Sequence, residues 1–339
     1  MTSPLTTALN VPAVGRAVTV RVPGTSANLG PGFDSLGLAV TLYDMLTVCT
    51  LPETDDGGGG AVAPLEFELS GEGVADLPRD ASHLVVKAMD LAFARLGYRR
   101  GGLKVTAENV LPHGRGLGSS ASAIVAAILA ANALVDAADQ QDRAWVLQLA
   151  SEMEGHPDNV APAVYGAAAI SWSDGEDYSS TKVTPAAAVI PVVAIPDFEV
   201  KTERARGLLP ATVPHAQAAA NSGRAALLIH ALKDAPELML AGTRDYLHQD
   251  YRASAMPESA ELVRDLRAAG HAAFISGAGP TVMALANGGT EAAAVVDFLA
   301  QRQAATHNVS ETGVSWRVMR LEIDSEGAKV EVHPGSTGT

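Results

Sequence analysis

Residues 111–136 constrain the fold more than any other part of this chain, because a glycine-rich loop runs straight into a helix that is apolar on every side. A helix with no polar face has to sit in the middle of a domain, so the rest of the chain must build layers around it. The loop, Pro112-His-Gly-Arg-Gly-Leu-Gly-Ser-Ser-Ala121, carries glycines at 114, 116 and 118. Glycines so close together permit positive φ and near approach to a ligand. Ser119 and Ser120 open the helix and are expected to cap it. Free N–H groups and the dipole at that end attract an anion, and the hydroxyls can add phosphate contacts or bind Mg2+. The plain alternative is a tight turn with a serine cap, which does not need three glycines.

Familiar phosphate motifs are absent. There is no G-x-x-x-x-G-K-[ST], no dinucleotide fingerprint, no H-R-D or D-F-G pair and no H-E-x-x-H. With 24 Lys+Arg against 38 Asp+Glu, the net charge of −14 argues against a nucleic-acid or anionic-membrane partner. The lone Cys49 excludes an internal disulfide and a thiolate zinc cluster, and is expected to be a small buried apolar residue. Met1 to Asn10 lacks the basic and apolar regions of a signal peptide. The longest apolar runs fall short of the roughly 20 residues that cross a bilayer, so a cytoplasmic location is expected.

The length suggests two domains. Strands are predicted at 17–22, 36–48, 103–107, 165–172, 189–195, 273–275, 281–286 and 316–321, the last of them closing the fold. Helices are predicted at 81–96, 119–136, 143–153, 215–232, 236–246, 258–268 and 291–303. Strands and helices do not alternate regularly enough for a doubly wound sheet, so the class is α+β. The expected division is 14–180 and 185–330, with 1–13 and 333–339 as tails. Residues 53–60, with four consecutive glycines, read as a hairpin tip or a surface loop.

Two more loops stand out: Val22-Pro-Gly-Thr-Ser-Ala-Asn-Leu-Gly-Pro-Gly-Phe-Asp-Ser-Leu-Gly37 and Ser276-Gly-Ala-Gly-Pro-Thr281. Together with the serine loop they resemble, in order and spacing, the three motifs of the GHMP kinases. The resemblance runs from about Val18 to Leu321. Glu154-Gly-His-Pro-Asp-Asn-Val-Ala-Pro-Ala163, Lys201-Thr-Glu-Arg-Ala-Arg206 and Asp250-Tyr-Arg252 resemble the branch that phosphorylates homoserine. The resemblance implies an N-terminal domain like ribosomal protein S5 and a ferredoxin-like C-terminal domain, with the active site between them. It implies that ATP lies along Pro112, His113, Gly114, Arg115, Gly116, Leu117, Gly118, Ser119, Ser120, Ala121 and Ser122. It places His83 near the base, and Mg2+ on Ser120 and Glu154. L-homoserine would be held by Asn28, Asp34, His156, Thr202, Arg206 and Arg252.

Charge matching supports these roles. A guanidinium fork suits the amino-acid carboxylate, so Arg206 and Arg252 take that end and Asp34 takes the ammonium. Taken singly, both arginines read as surface salt-bridge residues, and Asp158 as the cap of a helix starting near Val160. Transfer of a phosphoryl group depends mainly on positioning and electrostatics, so Asn28 and Thr202 are expected to orient the hydroxyl with Arg206 beside them, without a strong general base. The expected product is O-phospho-L-homoserine, and the expected macromolecular partner is a second copy of the chain. The rival readings are another GHMP small-molecule kinase and a non-catalytic, ligand-sensing member of the fold.

Overall fold

The computed structural model describes residues 9–55, 61–309 and 313–334. The expected tip at 53–60 therefore lies partly outside the described residues, as do 1–8 and 335–339 of the expected tails. The first lobe is built on one mixed sheet. Its path runs β13 (Lys329–His333), β1 (Ala17–Ala27), β2 (Leu36–Leu51), β6 (Gly102–Asn109) and β5 (Leu65–Gly71). The first half of β2 also pairs with β7 (Ala168–Asp174), and β7 with β8 (Asp177–Val183). A short ribbon, β3 (Thr54–Asp55) with β4 (Ala61–Val62), flanks the expected tip.

Helices α1 (Leu84–Arg95), α2 (Ser119–Leu134), α3 (Arg143–Glu154) and α4 (Val160–Tyr165) complete this lobe. As its composition demands, α2 is central. Ile124, Val125, Ile128 and Ala131 are almost wholly buried in a core shared with Val18, Val20, Val48, Met89 and Phe93.

The second lobe is a four-stranded antiparallel sheet of β10 (Ala272–Ile275), β11 (Val282–Asn287), β9 (Val189–Pro196) and β12 (Trp316–Arg320), in that spatial order. Numbered within the lobe, the order is 2-3-1-4, which is the ferredoxin-like split βαβ arrangement. Long connections carry α5 (Thr202–Arg206), α6 (His215–Lys233), α7 (Met239–Gly242), α8 (Gln249–Arg252), α9 (Pro257–Ala268) and α10 (Gly289–Val309).

Besides the two short strands of that ribbon, three strands escaped the sequence reading. β5 and β8 lie at sheet margins and are polar on one or both faces. β13 follows what reads as the last strand, yet pairs with β1, with Val330 opposite Val20. Residues 321–333 therefore leave the second lobe and return to the first, and His333 is in the sheet, its Nε2 2.8 Å from Thr19 Oγ1. Residues before Ala168 end α4 rather than begin a strand, because Gly166 and Ala167 turn the chain with positive φ. The stretch 236–246 forms only a 3-10 turn and α7, and Cys49 is half-buried within β2.

Candidate active site

The three glycine-rich loops interlock where the lobes meet. Thr25 N donates to Leu117 O (3.1 Å), Gly277 N to Ala27 O (3.0 Å) and Thr281 N to Arg115 O (3.2 Å). Ser276 Oγ bridges Ser26 Oγ (2.8 Å) and Gly116 O (2.6 Å). The glycines are needed for this closeness. Gly116 (φ +76°) and Gly118 (φ +72°) are left-handed, and a Cβ would run into Ser276 O at the first and Thr25 Oγ1 at the second. At Gly118 the obstacle is therefore protein as well as any phosphate.

Gly118, not a serine, occupies the N-cap of α2, and no side chain caps that end. This corrects the expected serine cap. Ser120 Oγ instead donates to Glu154 Oε2 at 2.9 Å, across from the end of α3. The N–H groups of the first turn of α2 thus stay available to a ligand. Beneath the loop, Asp44 accepts from Val110 N (2.7 Å) and Leu111 N (2.9 Å) and fixes its entry. Burial raises the pKa of this carboxyl, which sequence reasoning missed.

One cleft collects Asn28, Asp34, Gly114, Gly116, Gly118, Ser119, Ser120, Glu154, His156, Thr202, Arg206 and Arg252. Other residues of the serine loop face elsewhere. Leu117, Ala121 and Ser122 are buried, and Pro112 and Arg115 line a separate cleft with Pro196 and Asp197. Arg115 donates to Pro196 O and Asp197 O, fastening the segment ahead of α5. His113 lies against Gly73. His83 caps α1 through Nδ1, and its buried Nε2 has no partner.

Within the cleft, one arginine and one aspartate are already paired across the lobes. Arg206 Nη1 and Nη2 donate to the two oxygens of Asp34 at 3.1 and 2.7 Å. Asp34 itself has positive φ, as do Asn28 and Leu29, a cluster of backbone strain in the loop that carries the acid. Asn28 supports that loop: its Oδ1 accepts from Asp34 N (3.0 Å) and its Nδ2 donates to Gly277 O (2.9 Å). Both ends of this amide are thus engaged. Thr202 opens α5 and faces the cleft from an exposed position.

Arg252 differs from Arg206. It is only 2% exposed and makes no ion pair among the described residues. Its Nη1 reaches His248 Nδ1 (3.3 Å) and Gly277 O (3.4 Å), while Nε has no partner. Burial, with the nearby charge of Arg206, lowers its pKa. A guanidinium held this way attracts an anion into the cleft. Phe33 lies under both arginines, with its ring centre 5.7 Å from Arg206 and 5.2 Å from Arg252. His248 Nε2 donates to Gly30 O (2.8 Å), its Nδ1 accepts from Arg252 Nη1, and burial lowers its pKa, which favours the neutral ring. Sequence reasoning passed over Phe33 and His248, although Phe33 lies inside a recognised loop.

Glu154 and His156 complete the cleft. Burial raises the pKa of Glu154, more than the Ser120 hydrogen bond and the His156 charge lower it. Burial disfavours a charged His156, but the 2.6 Å contact with Asp158 and the charges of Asp158 and Glu154 prevail, and its pKa is raised. Asp158 is thus the partner of His156. It does not cap α4, whose N-cap is Asn159; the Asn159 side chain makes no capping hydrogen bond and instead accepts from Thr25 Oγ1 at 2.8 Å. Ser120 and Glu154 offer a hydroxyl and a carboxylate, the hard oxygen donors that suit Mg2+. Among the described residues no cluster of three or more His, Cys, Asp or Glu forms a metal cage. A Mg2+ held mainly by substrate phosphates does not need one.

Comparison with known proteins agrees with this geometry. Residues 83–167 match the family model described as GHMP kinases N terminal domain, and residues 224–305 match GHMP kinases C terminal. The chain is 49% identical over 315 residues to the homoserine kinase of Streptomyces avermitilis, covering 93% of this chain and 95% of that one. It is 45% identical over 320 residues to the homoserine kinase of Clavibacter michiganensis subsp. michiganensis, covering 94% and 96%. The crystal structure of homoserine kinase from Cytophaga hutchinsonii superposes with a TM-score of 0.76 at 26% identity, covering 93% of this chain and 97% of that one. Mevalonate diphosphate decarboxylase from Staphylococcus aureus shares the fold, at a TM-score of 0.62 and 15% identity over 93% and 98% of the two chains.

Proposed function

The chain belongs to the GHMP kinases, and we propose that it is the member of that family that transfers the γ-phosphoryl group of ATP to the side-chain hydroxyl of L-homoserine, giving O-phospho-L-homoserine and ADP for threonine synthesis. The observation that carries this reading is the buried, unpaired guanidinium of Arg252 beside the Asp34–Arg206 pair, in the same cleft as the glycine loop. A zwitterionic amino acid supplies what each group lacks. Its carboxylate meets Arg252 and Arg206, and its ammonium meets Asp34. Binding exchanges an internal ion pair for two external ones and brings an anion to the buried guanidinium of Arg252, which a neutral sugar does not do.

The phosphates of ATP lie on the loop from Gly114 to Ser120, against the free N–H groups of α2. Mg2+ held by Ser120 and Glu154 would neutralise charge on the phosphate oxygens. Asn28 acts by holding Asp34 in its strained conformation, since both ends of its amide are engaged there. Thr202 is free to hydrogen-bond the substrate hydroxyl and aim it at the phosphorus. No side chain of the cleft is poised as a strong base: Asp34 is matched to a cation, and Glu154 serves the metal. In-line transfer then rests on alignment and on charge stabilisation.

A substrate panel with coupled ADP detection tests the assignment. Turnover is expected with L-homoserine, and none of comparable kcat/KM with mevalonate, galactose or shikimate. Faster turnover of any of those three would overturn it.

A further inference from the structure

A second cavity, of about 270 Å³, lies in the C-terminal lobe on the far side of α8 from the active cleft. Arg244, Arg264 and Arg267 line it, and among the described residues none of the three makes an ion pair. Asp245 and Asp250 line it as well, so the arginines leave a local excess of one positive charge in a chain of net charge −14. Apart from Asp250, the nearby acids already have partners. Glu261 and Asp265 on α9 both pair with Arg302. Asp245 accepts from the N–H groups of Leu247, His248 and Gln249 at 2.9, 3.0 and 2.7 Å. Arg267 donates only to neutral oxygens: Thr243 Oγ1 (2.9 Å), Ala273 O (3.0 Å) and Leu240 O (2.6 Å). Burial, and then the charges of Arg244 and Arg224, lower its pKa, as expected where cations face each other without an anion.

We propose that this cavity is a second ligand site, which takes a small phosphate monoester and reports its presence to the active cleft through α8. Three guanidiniums exceed what one carboxylate requires, but they suit the charge and three terminal oxygens of a phosphate. Ala260, Val263 and Ile275 give an apolar floor for a short aliphatic body, and Asp250 stands beside it to receive an ammonium group. The route to the active cleft is short. Gln249, at one end of α8, lines the cavity, and its Oε1 accepts from Ile275 N at 2.6 Å. Arg252, at the other end, reaches Gly277 O, which also holds Asn28. The binding claim stands apart from the kinase reading; only the effect on homoserine rests on it.

The probe is O-phosphoserine, titrated by calorimetry into the full chain with its cleft filled by L-homoserine, Mg2+ and a non-hydrolysable ATP analogue. One further site per chain is expected. Arg264→Glu and Arg244→Glu, both at exposed positions, should each weaken it at least tenfold and leave turnover without the probe unchanged. In the wild type the probe should shift KM for homoserine at least twofold more than in either variant. Absence of the extra site, equal affinity in the variants, or equal binding of serine or malonate would overturn the phosphate site. Binding with the same KM shift in wild type and variants would overturn the coupling through α8. Failure of the kinase reading would appear differently, as no ADP release with homoserine under any condition.

Discussion

The two sides of the active cleft are made of different materials. On the N-terminal side, backbone lines the cleft: a glycine loop locked against two other loops opens an apolar helix whose first turn has no side-chain cap. On the other side, long charged side chains do it. Arg206 stands on the five-residue α5 and is paired with Asp34 from the opposite lobe. The difference teaches how selectivity is divided. Nucleotide phosphates recur unchanged across a kinase family and can be met by fixed backbone, whereas the acceptor must be told apart by charge pattern. A backbone site is broken by sterics, and a side-chain site by charge.

The largest effect is expected on the backbone side. Gly118→Val would force a β-branched residue into positive φ against Thr25, moving the junction of all three loops. We expect loss of several kcal/mol of stability, on the scale of other strained or overpacked sites, and more than hundredfold weaker nucleotide binding. Thermal unfolding and titration of a fluorescent ATP analogue check it. Unchanged affinity in a stable variant would mean that the phosphates do not use this loop.

Next comes Glu154→Ala, which removes the carboxylate facing Ser120 without touching the core. Turnover should fall about a hundredfold or more, by the size of one strong electrostatic contact to the transition state, with the circular dichroism spectrum intact. Normal kcat at limiting Mg2+ would take Glu154 out of the metal site.

On the side-chain side, Arg206→Leu should raise KM for homoserine about ten- to a hundredfold, from loss of a charge-assisted hydrogen bond of about 1.5–3 kcal/mol, and leave KM for ATP nearly unchanged. Arg206→Lys should rescue only part, since ammonium offers no planar fork. An equal rise in both constants would erase the division between the two sides.

The smallest effect is on stability and concerns two histidines shifted in opposite directions. Burial and the charge of Arg252 outweigh Asp245 and lower the pKa of His248, so the folded state holds it neutral. Below its ordinary value of about 6.5 the unfolded chain takes up a proton that the folded chain does not, and stability falls by up to about 1.4 kcal/mol per pH unit. His156, with its raised pKa, acts in reverse: its contribution is present below the ordinary value and is lost as pH rises through the folded one. Urea midpoints at pH 5.5 and 7.5 should therefore fall less on acidification in His248→Gln, and more in His156→Gln, than in the wild type.

The same contrast explains what the sequence made legible. The apolar helix and the glycine loops announce themselves, because few other folds tolerate them. Arg206, Arg252 and Asp34 were found through the motifs around them, but not their pairing, since 172 positions separate Asp34 from Arg206. The capping roles expected of Ser120 and Asp158 gave way to other partners: Glu154, 34 positions away, for Ser120, and His156, only two positions away, for Asp158. β13 was missed although Val330 and Val332 alternate with polar residues, because an alternation of five residues is short and its partner β1 lies at the other end of the chain. His248 gave none either: its role depends on Gly30, far away in sequence.

The central claim is that the cleft recognises its acceptor through a carboxylate clamp and an ammonium partner. Calorimetric titration of L-homoserine and of L-homoserine amide, into wild type and Arg206→Leu, tests it most directly. The account predicts that amidation weakens binding to the wild type about ten- to a hundredfold and costs much less in the variant, because the partner of the carboxylate is already gone. If the amide binds the wild type as tightly as homoserine does, the clamp is contradicted and the amino-acid assignment loses its physical basis.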